Sequence, residues 1–168
     1  MREGGKYIFA IDPGNEESAY ALLNPDLKPI SIGKKRNEEV QKILLDVMNE
    51  YSLLELDIAI EMIASYGMAV GKTTFETCVW IGRFAEMIVE QTGTEPTYVY
   101  RKDEKMTLCH SMRAKDSNIR QALIDRFGVV GTKKNPGWFY GVSKDIWAAI
   151  AVGVTYHDTY LVKLEKRC

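Results

Sequence analysis

Three acids stand where packing and chain geometry alone would not put them. Asp12 ends the short apolar run from Lys6 to Ile11, Glu61 lies inside the run from Asp57 to Ile63, and Asp145 opens the last apolar stretch. A carboxylate is costly to bury unless it meets a partner or a cation, so an acid within an apolar strand asks for one. If the first two runs are neighbouring strands, Asp12 and Glu61 lie side by side at one end of a sheet. A helix starting near Ser143 can then bring Asp145 to the same place. Three converging carboxylates are a hard-oxygen site suited to Mg²⁺ or Mn²⁺. Asp12 before Pro13-Gly14 also suits a plain turn, and Asp145 a plain helix start. Glu61 has no such simple explanation.

The elements that must position these acids follow from periodicity. Lys6 to Ile11, Ser18 to Asn24 and Pro29 to Gly33 read as three strands joined by short turns, an antiparallel meander. Asn37 is placed to cap a helix running to about Tyr51, with Val40, Ile43, Leu44 and Val47 at helical spacing. Strand four is Asp57 to Ile63, followed by a loop from Tyr66 to Gly71 and a helix from Thr73 to Gln91. Thr97 to Tyr100 is strand five, Lys115 to Phe127 a basic amphipathic helix stopped by Gly128, and Gly131 to Gly141 an irregular loop. The last helix shows Ile146, Ala149, Ile150, Gly153, Val154 and His157 on one face. The sum is an α/β order with a three-strand meander first. At 168 residues, with 46% apolar and 27% charged side chains, the chain fits one globular domain and excludes a disordered or low-complexity protein.

No apolar run is long enough to span a bilayer or form a signal-peptide core, and three scattered cysteines (Cys78, Cys109, Cys168) indicate neither a disulfide framework nor a zinc site. A reduced, cytoplasmic setting is the expectation. The net charge is −1, yet from Arg101 to Lys134 nine Lys or Arg face four Asp or Glu. That local surplus, including Lys105, Arg113 and Lys115, suits a phosphate backbone. Gly67 to Thr73 resembles a phosphate loop but has three residues between its glycines where a nucleotide-binding loop needs four. Lys72 and Thr73 at a helix start are instead candidates for a DNA phosphate. His110 and His157 read as ordinary histidines, and the methionines as core filler. The Thr73 to Gln91 helix is apolar over more than half its circumference, so Trp80, Phe84 and Met87 are expected to meet a second copy of the chain.

Four ordered blocks, Phe9-Ala10-Ile11-Asp12-Pro13-Gly14, Ile58-Ala59-Ile60-Glu61, Lys105 through Arg113-Ala114-Lys115-Asp116, and Lys144-Asp145 through Val152-Gly153, resemble the RuvC-type Holliday junction resolvases of the RNase H-like superfamily, above all their phage-borne relatives. The resemblance implies one RNase H-like domain over residues 1–168, a five-stranded mixed sheet flanked by helices. It implies a homodimeric, Mg²⁺-dependent endonuclease, with Mn²⁺ able to substitute, that cuts four-way and other branched DNA in recombination and repair. In such an enzyme Asp12, Glu61 and Asp145 hold the metal, and Lys105 and Lys115 stand near the scissile phosphate, Lys115 among the catalytic groups. The family often carries a further acid three residues after the last Asp, where this chain has Ala148. It also carries a junction-opening aromatic where this chain has Ala64, with Tyr66 the nearest aromatic for DNA. With Ala148, an ion must draw more ligands from water or DNA phosphate. The alternative reading is a non-catalytic module that binds branched DNA on the same fold.

Overall fold

A computed structural model describes residues 5–162. In chain order it contains β1 (Tyr7–Asp12), β2 (Glu17–Leu23), β3 (Pro29–Arg36), α1 (Asn37–Glu50), β4 (Leu56–Met62), α2 (Lys72–Thr92), β5 (Thr97–Tyr100), α3 (Arg101–Cys109), α4 (Asp116–Phe127) and α5 (Ile146–Tyr156), closing in a π-helical turn over His157–Leu161. The five strands form one sheet in the order β3-β2-β1-β4-β5. β1, β2 and β3 are antiparallel, while β4 runs parallel to β1 and β5 parallel to β4. The meander followed by parallel strands is the expected mixed sheet, and its fold is RNase H-like. No helix among the described residues is long and apolar enough to cross a membrane.

Strand alternation divides the core into two layers. Phe9, Ile11, Tyr20, Leu22, Ile58 and Ile60 face α1 and α2, whereas Ile8, Ala10, Ala19, Ala21 and Ala59 face α5. The alanines on that second face leave room for α5 to lie close to the sheet. At Gly153 a Cβ would fall 2.6 Å from Leu23 Cδ1 and 3.3 Å from Ala10 Cβ. Gly153→Val is therefore expected to overpack the contact and cost about 1–3 kcal/mol of stability, measured by urea unfolding; an unchanged midpoint would show that α5 has slack.

Several expectations are corrected. The segment after β5 is helix α3, which had not been anticipated. Phe84 is 0% exposed and packs on the sheet, so it cannot meet a partner, while Phe75 and Val79 on the opposite side of α2 are 60% and 57% exposed. Trp80 and Met87 are half-buried beside the same core layer, with the Arg83 guanidinium 4.6 Å from the Trp80 ring centroid. Asn37 does not cap α1 with its side chain; it is buried as the first helical residue. Met68, Met106 and Met112 are exposed rather than core filler. The stretch from Gly131 to Gly141 is the irregular loop expected, and it is pinned by packing: Phe139 is buried against Trp147, and Trp138 stacks on Phe127. Cys78 and Cys109 are unbonded, and Cys168 lies outside the described residues.

Candidate active site

Ile11 pairs with Ile60 in the parallel β1–β4 register, so Asp12 and Glu61, one residue further along each strand, stand level at the carboxyl ends of neighbouring strands. Both share the parity of Ala10 and Ala59 and therefore face α5. The carboxyl ends of parallel strands are where α/β sheets present their ligand sites.

Asp145 arrives from the third direction, at the N-terminal boundary of α5, where Ser143 O and Asp145 O accept the N–H groups of Ile146 and Ala148. It shares with Asp12 a cleft of about 290 Å³ lined also by the β1–β2 turn and Lys34. Lys34 Nζ donates to Asp145 Oδ2 at 2.6 Å. Lys34 reaches it because Asp12, Ala19 and Lys34 are successive cross-strand partners, so all three project from one face. Beneath the turn, Asn37 Nδ2 donates to Gly14 O at 2.9 Å, and Ser18 Oγ donates to Asn37 Oδ1 at 2.6 Å. This buried pair fixes the Pro13-Gly14 turn that follows Asp12. Among the described residues, no three His, Cys, Asp or Glu side chains already stand together as a ready-made cation site.

A further acid enters from α3. Glu104 is 0% exposed; its Oε2 is bonded to Arg101 Nη1, and its Oε1 is buried without a hydrogen-bond partner. Arg101 Nη2 in turn bonds Asp116 Oδ1 at the start of α4. The carboxyls are crowded. Burial, then the charge of Glu61, pushes Asp12 up to about 8. Burial, then the charge of Glu104, pushes Glu61 to about 7, and burial holds Glu104 at about 7 against the pull of Arg101. Ionised together, these acids lack sufficient positive charge, which is the electrostatic signature of a place for a cation. The donors are all carboxylate oxygens, with no thiolate or imidazole, and fit Mg²⁺ or Mn²⁺ rather than zinc.

The structure gathers Lys105, Arg113 and Lys115 with Arg101 along one shallow groove that runs past Asp116. A second hollow, lined by Arg101, Arg120, Lys144, Asp145, Trp147 and Ala148, adjoins it. Tyr66, Lys72 and Thr73 stay separate from that groove, exposed on the β4–α2 loop and the start of α2. Lys72 Nζ lies 3.4 Å from Glu76 Oε1, and Asn15 Nδ2 donates to Glu76 Oε2 at 3.3 Å, tying the start of α2 to the β1–β2 turn. Sequence reasoning missed Lys34, Arg101 and Glu104. Extending strand three by one residue would have found Lys34, whose register with Ala19 and Asp12 follows from the meander.

The sheet order and the helix layers give an RNase H-like fold similar to that of RuvC. Two solved structures of RuvC from Thermus thermophilus are similar to the chain, one of them in complex with a Holliday junction substrate. That complex has a TM-score of 0.70 at 13% identity, covering 94% of this chain and 96% of the other. The other structure has a TM-score of 0.69 at 11% identity with the same coverage. The sequence matches no family profile and, at a significant level, no curated protein.

Proposed function

We propose that the protein is a divalent-metal-dependent endonuclease that cleaves four-way and other branched DNA as a homodimer, in the recombination or repair of DNA in a bacterial or phage-infected cytoplasm. The observation that carries this reading is the level pairing of half-buried Asp12 and Glu61 at the ends of β1 and β4, with Asp145 across the cleft and the Lys105, Arg113 and Lys115 groove alongside. Asp12, Glu61 and Asp145 are the residues that would hold Mg²⁺ or Mn²⁺. A bound divalent ion would polarise the scissile phosphate and provide hydroxide at neutral pH. For Asp145 to join, its carboxylate must leave Lys34, whose ammonium is then free to meet a DNA phosphate. Lys115 and Lys105 would neutralise the backbone beside the cut, and Tyr66, Lys72 and Thr73 would contact a second arm.

The test is cleavage of a synthetic four-way junction against matched linear duplex, with and without Mg²⁺ or Mn²⁺. Junction-selective, metal-dependent cutting is expected. Tight junction binding with no cutting in either metal would instead establish a non-catalytic branched-DNA module.

Binding should weaken steeply with salt, because the attraction comes from one basic segment on a chain of net charge −1. Lys115→Ala and Arg113→Ala are each expected to flatten the slope of log K against log salt by about one unit; unchanged slopes in both would move the DNA surface elsewhere.

For the dimer, the exposed stripe Phe75, Cys78, Val79 and Gly82 on α2 replaces Phe84 as the contact, with Trp80 and Met87 at its margin. A twofold mate on this stripe would set two sites against opposing strands of a symmetric junction. Phe75→Glu is expected to turn a sedimenting dimer into a monomer without unfolding it. A parent protein that is already monomeric at micromolar concentration would reject the interface.

A further inference from the structure

The geometry points to Glu104 as a fourth carboxylate of the cation site, entering from α3 and supplying the ligand that Ala148 cannot. This inference rests on reading the Asp12, Glu61 and Asp145 cluster as a metal centre.

Three observations carry it. First, the topology delivers Glu104 to the right edge of the sheet. β5 ends at Tyr100 beside Met62 of β4, Val99 is the partner of Glu61, and α3 begins at Arg101 with no intervening residue. The first turn of α3 therefore overhangs the end of β4, and the charge of Glu104 is the largest charge acting on Glu61. Secondly, Glu104 is wholly buried yet only half satisfied. Oε2 is held by Arg101, while Oε1 has no donor at all. A buried carboxylate oxygen without a donor is disfavoured in a folded protein, and a cation is the partner it lacks. Thirdly, the arrangement explains how the site manages without an acid at position 148. Asp145 and Ala148 are three residues apart at the start of α5, so an acid there would share a face with Asp145. Ala148 instead lines an open hollow with Asp145 and Arg101, and the additional negative charge comes from Glu104, which that same Arg101 holds from α3.

Arg101 has a defined part in this scheme. It bridges Glu104 and Asp116 and lowers the pKa of both Asp12 and Glu61, so in the free protein it acts as a resident counter-cation among the acids. When an ion takes up Glu104, Asp116 remains as the partner of Arg101, and the guanidinium can turn towards the groove of Lys105, Arg113 and Lys115.

The test is calorimetric titration of Mn²⁺ into the metal-free full-length protein, alone and with a non-cleaved junction analogue, with circular dichroism and thermal unfolding to verify the fold. Glu104→Gln preserves volume and is expected to weaken Mn²⁺ about tenfold or more. Adding Ala148→Asp to Glu104→Gln should recover affinity, since it places a carboxylate on the face of α5 that Asp145 shares. If Glu104→Gln does not fold, Glu104→Asp, which keeps the charge on a shorter arm, is read in the same way. A folded variant that binds Mn²⁺ within about twofold of the parent overturns the assignment of Glu104 and leaves the three-carboxylate reading standing. A parent protein that takes up no Mn²⁺, alone or on the junction, overturns both.

Discussion

Asp12→Asn and Glu61→Gln are each expected to lower junction cleavage by at least about 10²–10³-fold, the scale of losing one charged group that acts on the transition state, while the protein stays folded and binds junctions. Each substitution keeps the shape of the side chain and removes a carboxylate that would hold the metal in the proposed reaction. The strand ends that carry these acids are fixed by the β1–β4 register and by the Asn37 and Ser18 bonds beneath the turn, so neither change has cause to disturb the fold. Folding should in fact improve, because each variant relieves crowding among acids withdrawn from water. Cleavage rates, a junction-binding isotherm and a melting curve separate the two effects. Metal-dependent cutting at the parent rate by both variants would remove these residues from the chemistry.

The second large effect is on stability as a function of pH. Asp12 at about 8, with Glu61 and Glu104 at about 7, lies well above the ordinary carboxylate value of about 4. Between those limits the folded protein holds more protons than the unfolded chain, so stability falls as pH rises. The stabilising contribution of the protonated forms is full below about pH 4 and is lost as pH passes through the folded values. Without divalent metal, the melting temperature is expected to be lower at about pH 8.5 than at about pH 6, by several degrees at the ~2–4 °C per kcal/mol of a domain this size. Excess Mg²⁺ should shrink that fall, because an ion takes the place of the protons it releases. Asp12→Asn should make the dependence shallower. A melting temperature that is flat or rises between the two pH values would mean that these acids are ionised and already paired.

The contrast between what the residues revealed and what they concealed has physical causes. The meander, the parallel pair and the acids at its ends were readable because apolar runs broken by Pro, Gly and Asn define strands, and a charge inside such a run stands out. Glu104 was hidden by the opposite circumstance. It lies in Arg101-Lys102-Asp103-Glu104-Lys105, a run of five charges of both signs in which any one looks solvated. Helix α3 follows β5 without a turn and has little apolar periodicity, so nothing in the sequence separates its one buried acid from its more accessible neighbours. Phe84 misled for a different reason: an over-wide apolar arc says that two sides of a helix are covered, but not which residue faces which side. Asn37 resembled a cap because asparagine favours helix starts. Its side chain instead serves the β1–β2 turn, a tertiary demand that local preference cannot express.

The β1–β4 seam also has a kinetic consequence. β1 meets β2 through a four-residue turn, but it meets β4 only after the chain has passed through β2, β3 and α1. Local hairpins close first, and a parallel pairing across so long an excursion bears a greater loop-closure cost and comes later. Asp12 and Glu61 confront each other across that later seam, after the meander has consolidated. Once both are ionised, their repulsion therefore falls on the native side of the folding barrier, where it hastens unfolding and leaves the folding rate nearly untouched. The function this site is built for would thus be set against the lifetime of the native state rather than the ease of reaching it, and a bound cation would act as a brake on unfolding.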